Sequence, residues 1–186
     1  ATGWDVYNAE NDLTFVVSSD AGGFGTSTYS AFIDLYSSPS GNIDALNTTV
    51  ISLPSGTSVL KLFFDVAYAQ YTSETDKLEV LVSTNCGSTY STLYSKSGSA
   101  LKTANPTTTP FIPTSGQWRT DSVDLSSFSG QNCVIQFKAT SDYGNNLYLD
   151  NINLASSGPT VTLSASSTVI CPGDSVTIST NYIVGA

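Results

Sequence analysis

Apolar and polar residues alternate along this chain in short stretches with a period of two, the spacing of a strand that buries one face. The alternation predicts strands over residues 13–17, 30–36, 59–68, 77–83, 89–95, 118–125, 133–140 and 147–154, and two more over 160–165 and 175–179. Between them stand clusters of glycine, proline, asparagine and serine, such as Ala21-Gly22-Gly23, Ser38-Pro39-Ser40-Gly41-Asn42 and the segment 103–116. These break the chain into turns and leave almost no room for a helix. Short strands at this spacing predict an all-β chain built as an antiparallel two-sheet sandwich.

The strand Leu147-Tyr148-Leu149-Asp150-Asn151-Ile152-Asn153-Leu154 places an acid among apolar neighbours. Strict alternation sets Tyr148, Asp150, Ile152 and Leu154 on one side. If that side faces a core, an unpartnered carboxylate costs several kcal/mol or becomes protonated. The chain has 6 lysines and arginines and no histidine against 15 acids, so protein cations are scarce. A bound Ca²⁺, which takes carboxylate and carbonyl oxygens, is the expected neutraliser. The other reading puts Asp150 at a half-solvated strand end or on the backbone amides of a neighbouring turn.

The segment Ala155-Ser156-Ser157-Gly158-Pro159 reads as a linker dividing a main domain, residues 1–156, from residues 157–186. Beyond it a strand, a turn and a second strand begin around Cys171-Pro172-Gly173-Asp174, which resembles the opening of an immunoglobulin-like or PKD-like module. About 27 residues are too few to close a second sandwich core, so the chain is expected to end inside that module. Its start, Ala1-Thr2-Gly3-Trp4, shows no signal peptide, and the chain is expected to be a mature piece of a longer secreted precursor.

Hydrophobic residues make up 40% and charged residues only 11%, with serine, threonine, asparagine, glycine and tyrosine filling the difference, a profile of extracellular β proteins. A net charge of −9 argues against nucleic acid and anionic membrane surfaces as partners. The apolar run 59–69, interrupted by Lys61 and Asp65, is too short and too charged to span a bilayer.

Cys86 ends one predicted strand and Cys133 begins another, so if those strands pair antiparallel the thiols meet at one end of the sheet. A Cys86–Cys133 disulfide is expected, closing a loop of about 46 residues worth roughly 3–4 kcal/mol in the chain-entropy model. Cys171 is then the odd thiol. Unpaired thiols in a reducing compartment are the other reading. Metal binding by cysteine is disfavoured, since no Cys-x-x-Cys spacing accompanies them. Without histidine there is no histidine-based triad or zinc-peptidase helix. Gly22-Gly23-Phe24-Gly25 is not followed by a helix pattern and is no phosphate loop. The acids are scattered over strand ends and loops, and no acid/base pair stands out. A non-enzyme is expected.

Several segments together carry a resemblance: Leu62-Phe63-Phe64-Asp65-Val66-Ala67-Tyr68-Ala69-Gln70-Tyr71, Asp76-Lys77-Leu78-Glu79-Val80-Leu81-Val82-Ser83-Thr84-Asn85-Cys86-Gly87, Gln117-Trp118-Arg119, Val123-Asp124-Leu125 and Tyr143-Gly144-Asn145-Asn146 running into the 147–152 strand. Over about residues 3–155 the chain resembles a jelly-roll module of secreted Bacteroidetes proteins, a group similar to the MAM domain, the cleaved-adhesin domains of gingipains and the choice-of-anchor domains. The resemblance implies a jelly roll used as an accessory module of large surface proteins and metallopeptidases exported by the type IX system, often followed by PKD or immunoglobulin-like repeats. It also implies a structural Ca²⁺ between an acidic N-terminal loop and the aspartate of the last strand. Those positions match Asn8, Glu10 and Asp12 in the loop, Asp150 in the strand, and a third contribution from Asp44. Asparagine stands at two places where adhesin relatives carry acids, which reduces the charge offered to the ion.

Two functional readings follow. The first is a non-catalytic extracellular binding or adhesion module for a polysaccharide or cell-surface glycan, with Phe63, Asp65, Tyr71, Trp118, Arg119, Tyr143, Asn145 and Asn146 as ligand-binding residues. Filling the core or covering sheet edges is the competing role for Trp118 and the tyrosines. The second reading is a structural spacer or accessory domain of an exported enzyme with no ligand of its own. As a fragment the chain is expected to be a monomer, touching other domains of its parent and neither nucleic acid nor membrane. Self-association in the manner of MAM domains is a minor third reading.

Overall fold

The computed structural model describes residues 3–57, 59–157, 161–165 and 178–182, the last two segments as backbone. Among the described residues two antiparallel sheets face each other. One runs in the order β1 (Trp4–Asn8), β4 (Ile43–Thr48), β10 (Asn132–Thr140), β7 (Lys77–Ser83) and β8 (Ser91–Ser97), with β5 (Ile51–Ser52) added to β10. The other runs β2 (Val16–Ser18), β3 (Ser30–Ile33), β11 (Leu147–Ser157), β6 (Val59–Tyr68) and β9 (Arg119–Asp124). The chain crosses repeatedly from one sheet to the other, which makes the sandwich a jelly roll. Strands β12 (Val161–Ala165) and β13 (Ile178–Tyr182) pair antiparallel with each other. No described helix is long and apolar enough to cross a membrane.

Alternation explains the core. Leu60, Leu62, Phe64, Val66 and Tyr68 of β6 point inward against Leu78, Val80 and Val82 of β7 and Ile135, Phe137 and Ala139 of β10. Phe64 lies edge-on to both Phe137, 5.2 Å between centroids, and Tyr94, 5.3 Å. Each such fully buried side chain contributes roughly 1.5–3 kcal/mol. The alternate residues of β6 do not all meet water: Ala67 and Ala69 join Phe111, Trp118 and Tyr148 in a smaller apolar cluster on the outer side of the five-stranded sheet. Segment 103–118 forms its roof.

Strands β1 and β4 do not stand out in the sequence. In Ile43-Asp44-Ala45-Leu46-Asn47-Thr48 the inward positions are Asp44, Leu46 and Thr48, so two of three carry polar groups and the alternation reads as a loop. The last strand departs from strict alternation. Asp150 faces Asp65 across β6, and the next matched pair is Asn153 with Phe63, so β11 holds one extra residue there. Asn151 takes it up in a left-handed conformation, φ 47°. Leu147 and Leu149 therefore face the core before the bulge and Ile152 and Leu154 after it, while Tyr148 and Asp150 face outward. The expected single face shared by Tyr148, Asp150, Ile152 and Leu154 is thus corrected.

The expected disulfide is corrected too. Strands β7 and β10 do pair antiparallel, with Ser83 opposite Val134. Cys133, however, turns into the core, whereas Cys86 sits past the end of β7 in an exposed turn at φ 58°, and both thiols are free. Burial raises the Cys133 thiol above its ordinary pKa. The expected linker is strand through Ser157, with Ala155 opposite Lys61. Residues Gly158 and Pro159, Cys171 and the Cys171-Pro172-Gly173-Asp174 segment lie outside the described residues.

One clamp holds the loop before β11. Asp76, fully buried, accepts the Tyr68 hydroxyl (2.9 Å) and the backbone amides of Asp142 (2.6 Å), Gly144 (3.2 Å) and Asn145 (2.8 Å). A Cβ at Gly144 would overlap the Asp76 carboxylate. Gly144→Ala is expected to destabilise by about 2–3 kcal/mol, read as a lower urea midpoint at unchanged slope.

Candidate functional site

Most residues expected to bind ligand are spent on structure. Trp118 is 6% exposed and packs 6.3 Å from Tyr148. Asn145 is fully buried: its side-chain oxygen accepts the amides of Phe111 (2.8 Å) and Asn146 (2.9 Å), and its nitrogen donates to the carbonyls of Thr107 (2.9 Å) and Thr109 (3.0 Å). Asn146, also buried, donates to the Phe111 carbonyl at 3.2 Å. Arg119 grips the Asp121 carboxylate through Nε (3.0 Å) and Nη2 (2.9 Å) and the Lys102 carbonyl through Nη1 (3.1 Å). Asp65 is buried, and Phe63 is half-buried beside it on β6. For the residues on the outer side of the five-stranded sheet the reason is the roof made by 103–118 and the turn Gly23–Gly25, whereas Arg119, opposite Val66, lies on the inner side and is taken up by Asp121. Only Tyr71, edge-on to Tyr36 at 5.8 Å, and Tyr143, 62% exposed, stay open to a partner, at one end of the sandwich.

Asp150 is explained by that roof. It accepts the Gly23 amide (2.6 Å) and the Ser27 hydroxyl, and its other oxygen accepts the Asn151 amide (2.7 Å). Asp65, opposite it in register, accepts Asn151 Nδ2 (2.7 Å) and the Thr120 hydroxyl (2.5 Å). A Cβ at Gly23 would lie 3.0 Å from Asp65 Oδ2 and 3.1 Å from Asp150 Oδ2, so glycine lets the turn descend onto the pair. Neutral donors, many of them backbone or bulge groups, hold both acids. Asp150 sits on the amides of a neighbouring turn and does not point into the core.

The inward acid is Asp44. It shares its face with Leu46, is 1% exposed, and its Oδ1 has no hydrogen-bond partner, nor does the buried Thr14 hydroxyl. Asn8 lies opposite it on β1 and closes the 8–12 loop by donating to the Asp12 carbonyl (2.9 Å) and accepting the Asp12 amide (3.2 Å). Asn42 donates to Asp12 at 2.6 Å. Burial raises the Asp44 carboxyl above the usual carboxylate range; the nearby Thr14 hydroxyl opposes this and the charges of Asp12 and Glu10 add to it. Of the five expected metal positions, Asn8 and Asp12 lie beside Asp44, Glu10 is near enough for its charge to act on Asp44, and Asp150 belongs to the other cluster. Among the described residues no three acid, cysteine or histidine side chains are arranged to hold a metal as they stand. The donors nevertheless suit a hard cation, being oxygens around a buried orphan carboxylate.

A second surface has the character of a ligand site. On the outer side of the six-stranded sheet a recess of about 400 Å³ is lined by Tyr7, Asn47, Gly87, Tyr90, Gln136 and Lys138, with Ile43 and Ala45. Gln136 Nε2 donates to Asn47 Oδ1 across β10 and β4 (2.9 Å), leaving Asn47 Nδ2 and Gln136 Oε1 without partners among the described residues. Lys138 pairs with Glu79 at 2.7 Å. Tyr7 is half exposed, and Tyr90 folds over Gly87, where a Cβ would stand 3.1 Å from its hydroxyl. Sequence reasoning missed this set because Tyr7 lies on an unpredicted strand and the Asn47–Gln136 pair exists only through strand register.

No protein-family model and no curated protein matches this chain. Among solved structures, the K1 cleaved adhesin domain of Lys-gingipain from Porphyromonas gingivalis W83 superposes with a TM-score of 0.60 at 18% identity, over 85% of this chain and 93% of that one. The K3 cleaved adhesin domain from the same protein gives 0.58 at 19% identity, over 83% and 92%. TmCBM61 in complex with β-1,4-galactotriose gives 0.53 at 14% identity, over 83% and 89%. The likeness is one of fold.

The state of Asp44 can be read from stability. A raised folded-state pKa favours the protonated form, so its contribution is present below the ordinary carboxylate pKa and is lost as pH rises through the raised one. In EDTA, Asp44→Asn is expected to be more stable than wild type at about pH 7, with the difference shrinking toward zero near pH 4. Urea midpoints at both pH values check this.

Proposed function

We propose that this chain is a non-catalytic binding module of an extracellular or cell-surface bacterial protein, and that it takes a glycan in the recess between Tyr7 and Tyr90. The observation that carries this reading is the recess itself: two tyrosines flank an amide pair with a free donor and a free acceptor. Tyrosine rings suit the C–H face of a pyranose, and amides suit its hydroxyls. The fold shared with adhesin and carbohydrate-binding domains agrees with it. Asp150 is committed to anchoring a turn and Asp65 to holding Asn151 and Thr120, which argues against their use as an acid/base pair.

A spacer role without ligand is the second reading, favoured by the continuation of the chain beyond β11 into the paired strands β12 and β13. A screen of plant, algal and host polysaccharides by affinity gel and calorimetry separates the two. Under the glycan reading, Tyr7→Ala and Gln136→Ala each weaken binding about tenfold without changing the melting temperature. Absence of any binder, or a binder indifferent to both variants, favours the spacer.

Calcium belongs to the same proposal, as a structural ion at Asp44 with Asp12, Glu10 and the oxygens of Asn8 and Thr14 around it. Bound there, it would neutralise the buried carboxylate and tie the 8–12 loop to β4. Calcium at about 100 times its Kd is expected to raise the melting temperature by roughly 5–10 °C. Asp44→Asn should abolish the rise and Asp150→Asn should keep it, measured by calorimetry with and without EDTA.

A further inference from the structure

The sandwich stays open between its edge strands β1 and β2. Val17 stands opposite Ala31 and so faces inward, yet it is 70% exposed, and Val6, opposite Leu46, is 40% exposed. Between them runs a cleft of about 510 Å³ floored by Phe15, Leu46 and Leu149 and walled by Trp4. These are core-facing positions that the described residues leave uncovered. Strand β2 pairs with β3 alone, so among the described residues its other edge carries no strand. Its sequence, Val16-Val17-Ser18, carries no charge and no proline to blunt the edge, and only its length of 3 residues limits pairing.

We propose that this cleft is a strand-addition site: an extended peptide with alternating apolar side chains and basic residues at its ends pairs with β2 and covers Val17, Val6 and Phe15. The backbone edge supplies main-chain hydrogen bonds and the cleft takes every second side chain. Charge selects the partner. Glu10 and Asp12 precede β2 and Asp20 follows it, so acids stand at both ends of the open edge, and no described residue lining the cleft is basic. The same acids disfavour a second copy of this chain, since antiparallel pairing of two β2 strands would bring the acids before one against Asp20 after the other, on molecules of net charge −9. They equally disfavour an anionic lipid.

The test uses the whole chain and a short synthetic peptide alternating valine and threonine with a lysine at each end, against the same peptide ended in glutamate. Trp4 in the cleft wall reports binding by fluorescence, and amide hydrogen exchange reports pairing at Val16–Ser18. The lysine-ended peptide is expected to bind, to slow exchange in β2, to weaken as salt is raised, and to lose about tenfold or more in affinity in Val17→Lys, an exposed position where the fold tolerates charge. Equal binding of the glutamate-ended peptide, binding unaffected by Val17→Lys, dimerisation in place of peptide binding, or no binding at all overturns the proposal. Glycan binding in the Tyr7 recess should be unchanged in Val17→Lys, so the two readings fail separately.

Discussion

The pairing of β11 with β6 is the constraint on which the other features rest, because it assigns each face of the five-stranded sheet. Up to Asp150 the two strands match residue for residue, and then Asn151 is inserted and the alternation of β11 changes phase. Without that insertion Ile152 and Leu154 would turn away from the core. With it, Leu147, Leu149, Ile152 and Leu154 all pack inward, and Tyr148 and Asp150 are left to hold the roof over the outer side. The left-handed residue at the bulge also donates its own amide to Asp150 and its side chain to Asp65, so the irregularity supplies the donors that keep two facing carboxylates in place.

The same economy runs through the buried acids. Asp121, between β8 and β9, meets Arg119, Lys96 and the Tyr94 hydroxyl, which together hold its carboxyl below the usual range despite burial. Asp76 is met by three amides and the Tyr68 hydroxyl. Burying a carboxylate without partners costs several kcal/mol, a large part of the stability of any domain this size. Asp44 stands out because one of its oxygens is left without a donor. That contrast, more than the count of acids nearby, is the reason a cation is proposed for it.

Both open surfaces arise from where the roofing segments end. The loop 103–118 and the turn at Gly23 cover one side of the five-stranded sheet and bury Trp118, Asn145 and Asn146 with it. Among the described residues no equivalent segment covers the Tyr7 recess on the other sheet or the cleft beside β2. The two proposed binding surfaces therefore lie on a sheet face and at an edge, away from the end loops that carry Tyr71 and Tyr143.

Alternation along β6, β7 and β10 made the all-β sandwich and its core legible in the sequence, since period two in apolar residues has one physical meaning when turn residues bound it. That Asn8 stands opposite Asp44, beside the 8–12 loop, follows from the pairing of β1 with β4, two strands the alternation did not show. Which acid faces the core was not legible either: a one-residue bulge reverses the face of everything after it, and nothing local in Asp150-Asn151-Ile152 announces it. The fate of the two thiols was equally hidden, because Cys86 lies past the last paired residue of β7, in a left-handed turn that alternation along the strand does not describe. The chain's own residues determined the strands, the acidity and the kind of core. Register and roofing, set by contacts between segments far apart in sequence, decided which polar groups are buried in structural bonds and which remain free to meet a ligand.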